Sequence, residues 1–525
     1  MTRPRRACLL VLFLLAALLP ALAAPAPKEE RRRFPVEAFG ARGDGLTLCT
    51  AALQAAIDSA AAAGGGMVVI PRGRFLSGTI QLKSGVTLHI ERGGTVLGST
   101  DPFLYRKIDL HYALILADHA AGIAITGAGT IDGQGQALAL NADSLHHCGA
   151  RVDPNYNQRR KRPSESMRPQ LIHFTGCSDV LVRDITLRNS SCWVQTYSLC
   201  RNLRLEHLRV ISRAFWNNDG IDIDDCRNVR ITGCDVNSAD DGICLKSHRT
   251  GACNDSIYIA DCTVRSSASA VKFGTASTGG FRNITVENIR VIDTYRSAIA
   301  IETVDGGRIE NIIVRHIRAR NTGNAFFLRL GQRSGDSTGF LRNVRISDME
   351  VQVPFDAPDR GYDLPGPPTS FFHNSFPAVI AGLPGRAIEN LVLEDIQITA
   401  PGHANKGLAC LPLSRLEAVP EEAGEYPEFS MFGELPAWGL YARHVTGLTM
   451  NNLTLKAAGP DFRPALLCDD GREIRGSALM LDAAGAVWPM VLHNVAGAAF
   501  TGLKIRGGAS APLLQSGRCS GITLE

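Results

Sequence analysis

Aromatic side chains are scarce in this chain. Phe, Trp and Tyr make up 6% of 525 residues although 45% are hydrophobic, so any core must be mainly aliphatic. An excess of one charge is also missing. The net charge is +4, from 55 Lys and Arg against 51 Asp and Glu, and no basic run is interleaved with aromatics, so nothing points to nucleic acid. Long apolar runs are absent after residues 9–19, and that run falls short of the ~20 residues a membrane-spanning helix needs. The 14 cysteines lack the spacing of a zinc site. Several (Cys226, Cys234, Cys244, Cys262) recur in adjacent repeats and read as small buried apolar residues, not as a disulfide framework.

Glycine is plentiful, with 52 residues, and Val and Ile are common, as in a β-rich chain with many turns. Residues 1–24 read as a secretory leader: Arg3, Arg5 and Arg6 precede the apolar run, and Ala21-Leu22-Ala23 offers a cleavage site. The mature protein is expected to be exported, either secreted or periplasmic. Residues 25–525 read as one domain. Within it, residues 34–105 form an entry segment, 121–353 a run of regular coils, and 354–525 further coils interrupted by insertions at 356–384 and 411–436. Residues 47–63 have helical spacing, with Leu53, Ala56 and Ile57 on one face, and Gly64-Gly65-Gly66 stops them.

The stretch 217–247 sets the frame. Asp219-Gly220-Ile221-Asp222-Ile223-Asp224 matches Asp241-Gly242-Ile243-Cys244-Leu245-Lys246 after 22 residues, and similar coils begin at Ser269, Ser297 and Asn324. Repeats of this length signal stacked architectures, and stacked strands lie about 4.8 Å apart. The columns Ile221/Ile243/Val271/Ile299/Phe326 and Ile223/Leu245/Phe273/Ile301/Leu328 are apolar and must face inward. The alternate columns, Asp222/Cys244/Lys272/Ala300/Phe327 and Asp224/Lys246/Gly274/Glu302/Arg329, must face outward. Asn202, Asn228, Asn283, Asn343 and Asn390 recur at one bend and read as structural. Short strands at this period without leucine-rich helices predict an all-β, single-stranded right-handed parallel β-helix with residues 47–63 capping its open end. Asp219, Asp240 and Asp241 then crowd one patch, which requires a cation, shared protons or chemistry.

Phe39-Gly40-Ala41-Arg42-Gly43-Asp44-Gly45, the run from Gly64 to Gly73, the coils, and the block from Tyr426-Pro427-Glu428 to Tyr441-Ala442-Arg443-His444 resemble glycoside hydrolase family 28, the polygalacturonases and rhamnogalacturonan hydrolases. Asn217-Asn218-Asp219 matches the family's N-T-D motif with Asn218 in place of Thr, and Asp240-Asp241 matches its D-D motif. The resemblance implies Asp240 as general acid, Asp219 and Asp241 as the holders of the attacking water, and Asn217 as a substrate contact. Elementary chemistry agrees, since cleavage needs one proton-bearing carboxyl and a carboxylate opposite, about 6.5–9.5 Å apart for inversion.

The family's G-H-G and R-I-K-T motifs are replaced by Ala268-Ser269-Ala270 and by Ala300-Ile301-Glu302-Thr303. Glu302 is expected to repel a galacturonate carboxylate where relatives attract one, leaving Lys246, Lys272 and Arg329 or Arg333 as cationic substrate contacts. This pattern fits galacturonate linked to a neutral sugar such as rhamnose, with Lys272 holding the galacturonate. The alternatives are an exo- or endo-polygalacturonase, a pectate-type lyase that needs calcium, and a non-catalytic sugar-binding helix; an acidic turn ladder or calcium site is the bland reading of the patch. No cofactor or metal is called for, the partner is a pectic chain, and a monomer is favoured. His444 and Tyr441 are conspicuous but unplaced.

Overall fold

A computed structural model describes residues 32–109, 111–335, 337, 339–364, 366, 368–369, 371–408, 411–509 and 511–525. The expected leader lies outside the described residues. The chain folds as a right-handed parallel β-helix in which successive coils pair in parallel, from Arg33–Pro35 on Gly66–Ile70 to Ala496–Thr501 on Ser520–Leu524. Among the described strands the antiparallel pair is Arg106–Ile108 with His111–Asp118.

The register follows from the apolar period. Ile221 pairs with Ile243, Ile243 with Val271, Val271 with Ile299 and Ile299 with Phe326. One inward column thus runs unbroken through Tyr197, Ile223, Leu245, Phe273, Ile301, Leu328, Ile380 and Ala442, all buried in one aliphatic core. The recurring asparagines sit at a corner with positive φ, near 55° for Asn202, Asn228, Asn283, Asn343 and Asn390. Each amide donates to the coil before, as in Asn228 to Asn202 at 2.8 Å and Asn390 to Asn343 at 3.2 Å, so the ladder turns the chain and satisfies its own polar groups. Of twelve described cysteines, none of them disulfide-bonded, nine are buried, including Cys200, Cys226, Cys234 and Cys262.

A helix spans Thr50–Ala62 and lays Leu53, Ala56, Ile57 and Ala60 against the first strands. A second helix, Gly135–His147, was not expected from the repeat pattern. Its Leu138, Ala139 and Ala142 are buried at helical spacing, and its many Ala and Leu favour helix, but it is an excursion between coils and leaves no mark on their period. The described residues of the insertions at 353–377 and 411–438 fold back onto the outward face. Their Phe376, Leu416, Val419, Phe429 and Phe432 form a second apolar cluster with Tyr295, Phe327 and Tyr441 of the coils.

Candidate active site

The turn before Asp219 is fixed by one buried amide. Asn218 Oδ1 accepts from Ser212 Oγ and from the backbone N–H groups of Ala214 and Phe215, while its Nδ2 donates to the carbonyls of Ser190 and Cys192. A Thr hydroxyl could not make five such bonds. After each aspartate comes a glycine that lets the coils close: a Cβ on Gly220 would meet the Gly242 carbonyl at 2.6 Å, and one on Gly242 the Ala270 carbonyl at 2.6 Å. Gly220 N–H donates to Asp241 O at 2.9 Å, which stacks Asp219 and Asp241 on adjacent coils. Asp240 is half-buried beside them, its backbone carbonyl held by Ser238 and Ser266.

The three carboxylates have unequal partners. Asp219 Oδ2 lies 2.8 Å from Lys246 Nζ, and Asp241 Oδ2 lies 3.1 Å from Lys272 Nζ. Asp241 Oδ1 also accepts from Ser269 N–H. The Asp240 side chain accepts only from Asp241 N–H, at 3.0 Å, and has no cation within salt-bridge reach among the described residues. Burial pushes Asp240 up to about 7, helped by the charges of Asp219 and Asp241 and opposed by Arg296 and Lys272. Burial also acts on Asp241, but Lys272, Lys246 and Arg296 together hold it below the usual carboxylate range. Burial and the neighbouring Asp222 and Asp241 raise Asp219, with Lys246 pulling the other way. The patch therefore contains two carboxyls raised into the neutral range, Asp240 at about 7 with no cation and Asp219 at about 8 against Lys246, and one carboxylate, Asp241, that its neighbouring cations keep ionised.

The two lysines are not free groove cations, contrary to the expectation from the columns. Lys246 is buried, with Nζ 2.8 Å from Asp219, 2.7 Å from Asp222 and 3.1 Å from Cys244 Sγ, and it lies 4.5 Å from the Trp193 ring centroid. Asp219, Asp222 and Cys244 could together hold a metal ion, and the Lys246 ammonium stands among them. Lys272 is 1% exposed and donates to Tyr426 Oη at 3.0 Å besides pairing with Asp241. Arg329, also 1% exposed, gives its hydrogens to the carbonyls of Gly382, Glu421 and Glu422 and stacks on Phe432, so it anchors the 411–436 insertion and does not face a substrate. Glu302 is 2% exposed, and burial pushes it up to about 7, so the expected repulsion has no open surface to act across. Asn217 does lie at the patch, but Arg168 already donates to its Oδ1 at 2.8 Å.

Outward-facing residues become buried because the insertion covers them. Arg443 and His444 hold its root: Arg443 pairs with Glu421 at 2.6 Å and Asp469 at 3.3 Å, and His444 bridges Asp470 and Glu421. Tyr441 is packed in the apolar cluster below. From that root, Tyr426 reaches Lys272, and Glu428 pairs with Arg296 at 3.0 Å. Arg296 is a site residue that the motifs did not flag, although it falls in the column of Asp240 two coils later. A cavity of about 660 Å³ beside this strap, lined by Tyr295, Phe355, Phe376 and Phe429, holds none of the three carboxylates.

The family model described as glycosyl hydrolases family 28 matches residues 63–348, more than half the chain. A "Probable polygalacturonase" of Vitis vinifera is 30% identical over 282 residues, covering 49% of this chain and 54% of the relative. An "Exo-poly-alpha-D-galacturonosidase" of Dickeya chrysanthemi is 26% identical, covering 39% of this chain and 40% of its own length. The chain thus spans about half or less of these curated relatives. Among solved structures, a hyperthermoactive exopolygalacturonase of Thermotoga maritima aligns with a TM-score of 0.58 at 22% identity, over 81% of this chain and 92% of the other. A family 28 exopolygalacturonase of Yersinia enterocolitica aligns at 0.52 and 19%, over 94% and 78%.

Proposed function

The chain belongs to glycosyl hydrolases family 28, and from that premise we propose that it hydrolyses α-galacturonosyl linkages of pectic chains with inversion. Asp240 protonates the departing glycosidic oxygen as the bond breaks, and Asp219 and Asp241 take up the attacking water on the opposite face. The observation that carries this reading is the inequality of the patch. Asp240 alone among the three lacks a cationic partner and is raised to about 7, while Lys272 helps hold Asp241 as a carboxylate and Asp219, itself raised, keeps Oδ2 against Lys246. The leader at residues 1–24 would deliver the enzyme to such a substrate outside the cytoplasm.

The leaving sugar is neutral in this reading. Downstream of the patch each cation is already engaged: Lys272 by Asp241 and Tyr426, Arg296 by Glu428, and Arg329 by three carbonyls. A rhamnose-like unit needs no counter-charge there. A second reading, exo-polygalacturonase action, is favoured by the strap that lays Tyr426 and Glu428 over that end, and by the name of the Dickeya chrysanthemi relative above. Incubation with a rhamnogalacturonan oligomer and with oligogalacturonate, read by reducing ends, product size and the anomer formed first, separates them. Galacturonate ends released with inversion from the mixed polymer support the leading reading. Monouronate from plain oligogalacturonate supports the second, and an ultraviolet-absorbing unsaturated product would overturn both.

The pH dependence is a further expectation. The acid must carry its proton, so kcat/KM should fall above about pH 7, where Asp240 ionises. Arg296 is one of the cations that lower Asp240. Arg296→Gln should therefore move the alkaline limb to higher pH, as the pH profile of kcat/KM will show. An unmoved limb would mean that another group sets it.

A further inference from the structure

We infer that Arg162, whose guanidinium lies over the Trp216 ring within reach of the Asp240 charge, receives the carboxylate of the sugar upstream of the scissile bond, and that Arg159, Arg160 and Lys161 on the same turn extend this receptor along a polyuronate chain. The inference rests on the hydrolase reading above and replaces Lys272 as the uronate contact, since Lys272 is already held by Asp241 and Tyr426.

The excursion from residue 133 to 169 carries this turn. Asn157 N–H donates to Arg162 O at 3.0 Å and Arg162 N–H returns to Asn157 O at 3.3 Å, closing the loop, while Asn157 Oδ1 accepts from Arg160 N–H. Its root is fixed. Asp153 accepts from the N–H and hydroxyl of Ser164, and Arg168 donates to the carbonyls of Ser191 and Trp216 and to Asn217 Oδ1. The excursion is thereby tied to the turn that delivers Asp219.

Arg162 is 7% exposed. Its guanidinium carbon lies 5.1 Å from the Trp216 ring centroid, and no hydrogen bond or ion pair reaches its side chain among the described residues. The other cations buried around the site all have acceptors: Lys246 and Lys272 carboxylates, Arg168 and Arg329 carbonyls, Arg296 a glutamate. The Arg162 nitrogens keep an edge to solvent and have no acceptor within the protein, so this cation is open to a partner that arrives from outside. The acids whose fields reach it are Glu165 and Asp240, and neither lies within salt-bridge distance. A guanidinium placed over an indole by a cation–π contact still has N–H groups free to pair with a carboxylate through two hydrogen bonds. Arg159, Arg160 and Lys161 are exposed and make no described ion pair. Cations thus await a ligand on the upstream side, whereas those downstream are spent. That asymmetry fits a uronate before the cleaved bond and a neutral sugar after it.

The test uses the full chain with Asp240→Asn to stop turnover, and calorimetry with trigalacturonate and with the same trimer carboxyl-reduced to neutral sugar. Adding Arg162→Gln should weaken trigalacturonate about tenfold or more and leave the neutral trimer unchanged. With Asp240 intact, Arg162→Gln should raise KM on the acidic substrate and spare kcat. The exposed triple variant Arg159→Gln/Arg160→Gln/Lys161→Gln, which removes no buried contact, should flatten the salt dependence of binding to longer oligouronates. Equal loss on both trimers, or none on either, overturns the assignment, as does a triple variant with an unchanged salt slope. The underlying reading fails separately: wild type that releases no sugar from any pectic chain defeats the hydrolase, while an active enzyme indifferent to Arg162→Gln defeats the receptor alone.

Discussion

Asp240→Asn is expected to lower kcat by about a thousandfold, since loss of a general acid typically removes about 10²–10⁴ in rate. The fold should survive. Asn keeps an oxygen to accept from Asp241 N–H, the one described hydrogen bond of the Asp240 side chain. Stability should even gain above neutrality. Asp240 is raised from 3.8 to about 7 in the folded state, so between those values the native protein holds a proton that the unfolded chain has released, and stability falls as pH rises through that window. Asn does not titrate and removes the fall. Reducing-end release and thermal melts at pH 5 and pH 8 check both halves. A purely structural acidic ladder predicts the reverse, a melted protein with residual activity, and that result would sink the catalytic assignment.

The coil register was legible because it is written in a local rule. A period of two within each strand, repeated at intervals of one coil, aligned Ile221, Ile243, Val271, Ile299 and Phe326, and the pairing follows those columns. The same rule put Asp219 and Asp241 on one patch. It gives direction, however, and not cover. Lys246, Lys272, Glu302 and Arg329 do point away from the core, yet all are buried, because neighbouring carboxylates and the 411–436 insertion close over them. Where an insertion lands depends on contacts such as Arg329 to Glu421 and Arg443 to Val419, which link residues 92 and 24 positions apart and follow no period. Arg296 and Arg162 were hidden for different reasons. Arg296 stands in a readable column but matches no motif letter, and Arg162 lies on an excursion that the columns do not describe.

Lys246→Met should be the most destabilising single change near the site. Met conserves much of the stem but removes the ammonium 2.8 Å from Asp219 and 2.7 Å from Asp222, whose side chains are 6% and 0% exposed. Removing one partner of a buried ion pair costs about 3–5 kcal/mol, because the charge left behind has neither water nor a counter-ion. The loss should depend on pH in a definite sense. Burial already raises Asp222 to about 6, and without Lys246 both carboxyls rise further above the unfolded value of 3.8. The folded variant then binds more protons than the unfolded chain, so its stability falls as pH climbs from near 3.8 through the raised values. Below that window both states are protonated and the deficit nearly closes. In wild type the ammonium stays charged across this range, its proton held by Asp219 and Asp222. Urea unfolding at pH 4 and pH 8 should therefore show a small gap between variant and wild type at the first and the full gap at the second. Adding Asp222→Asn to the variant should recover a large part of it, since one of the two stranded charges is gone. A deficit equal at both pH values would mean that Lys246 acts through its packing under Trp193, and the electrostatic account of the patch would be wrong.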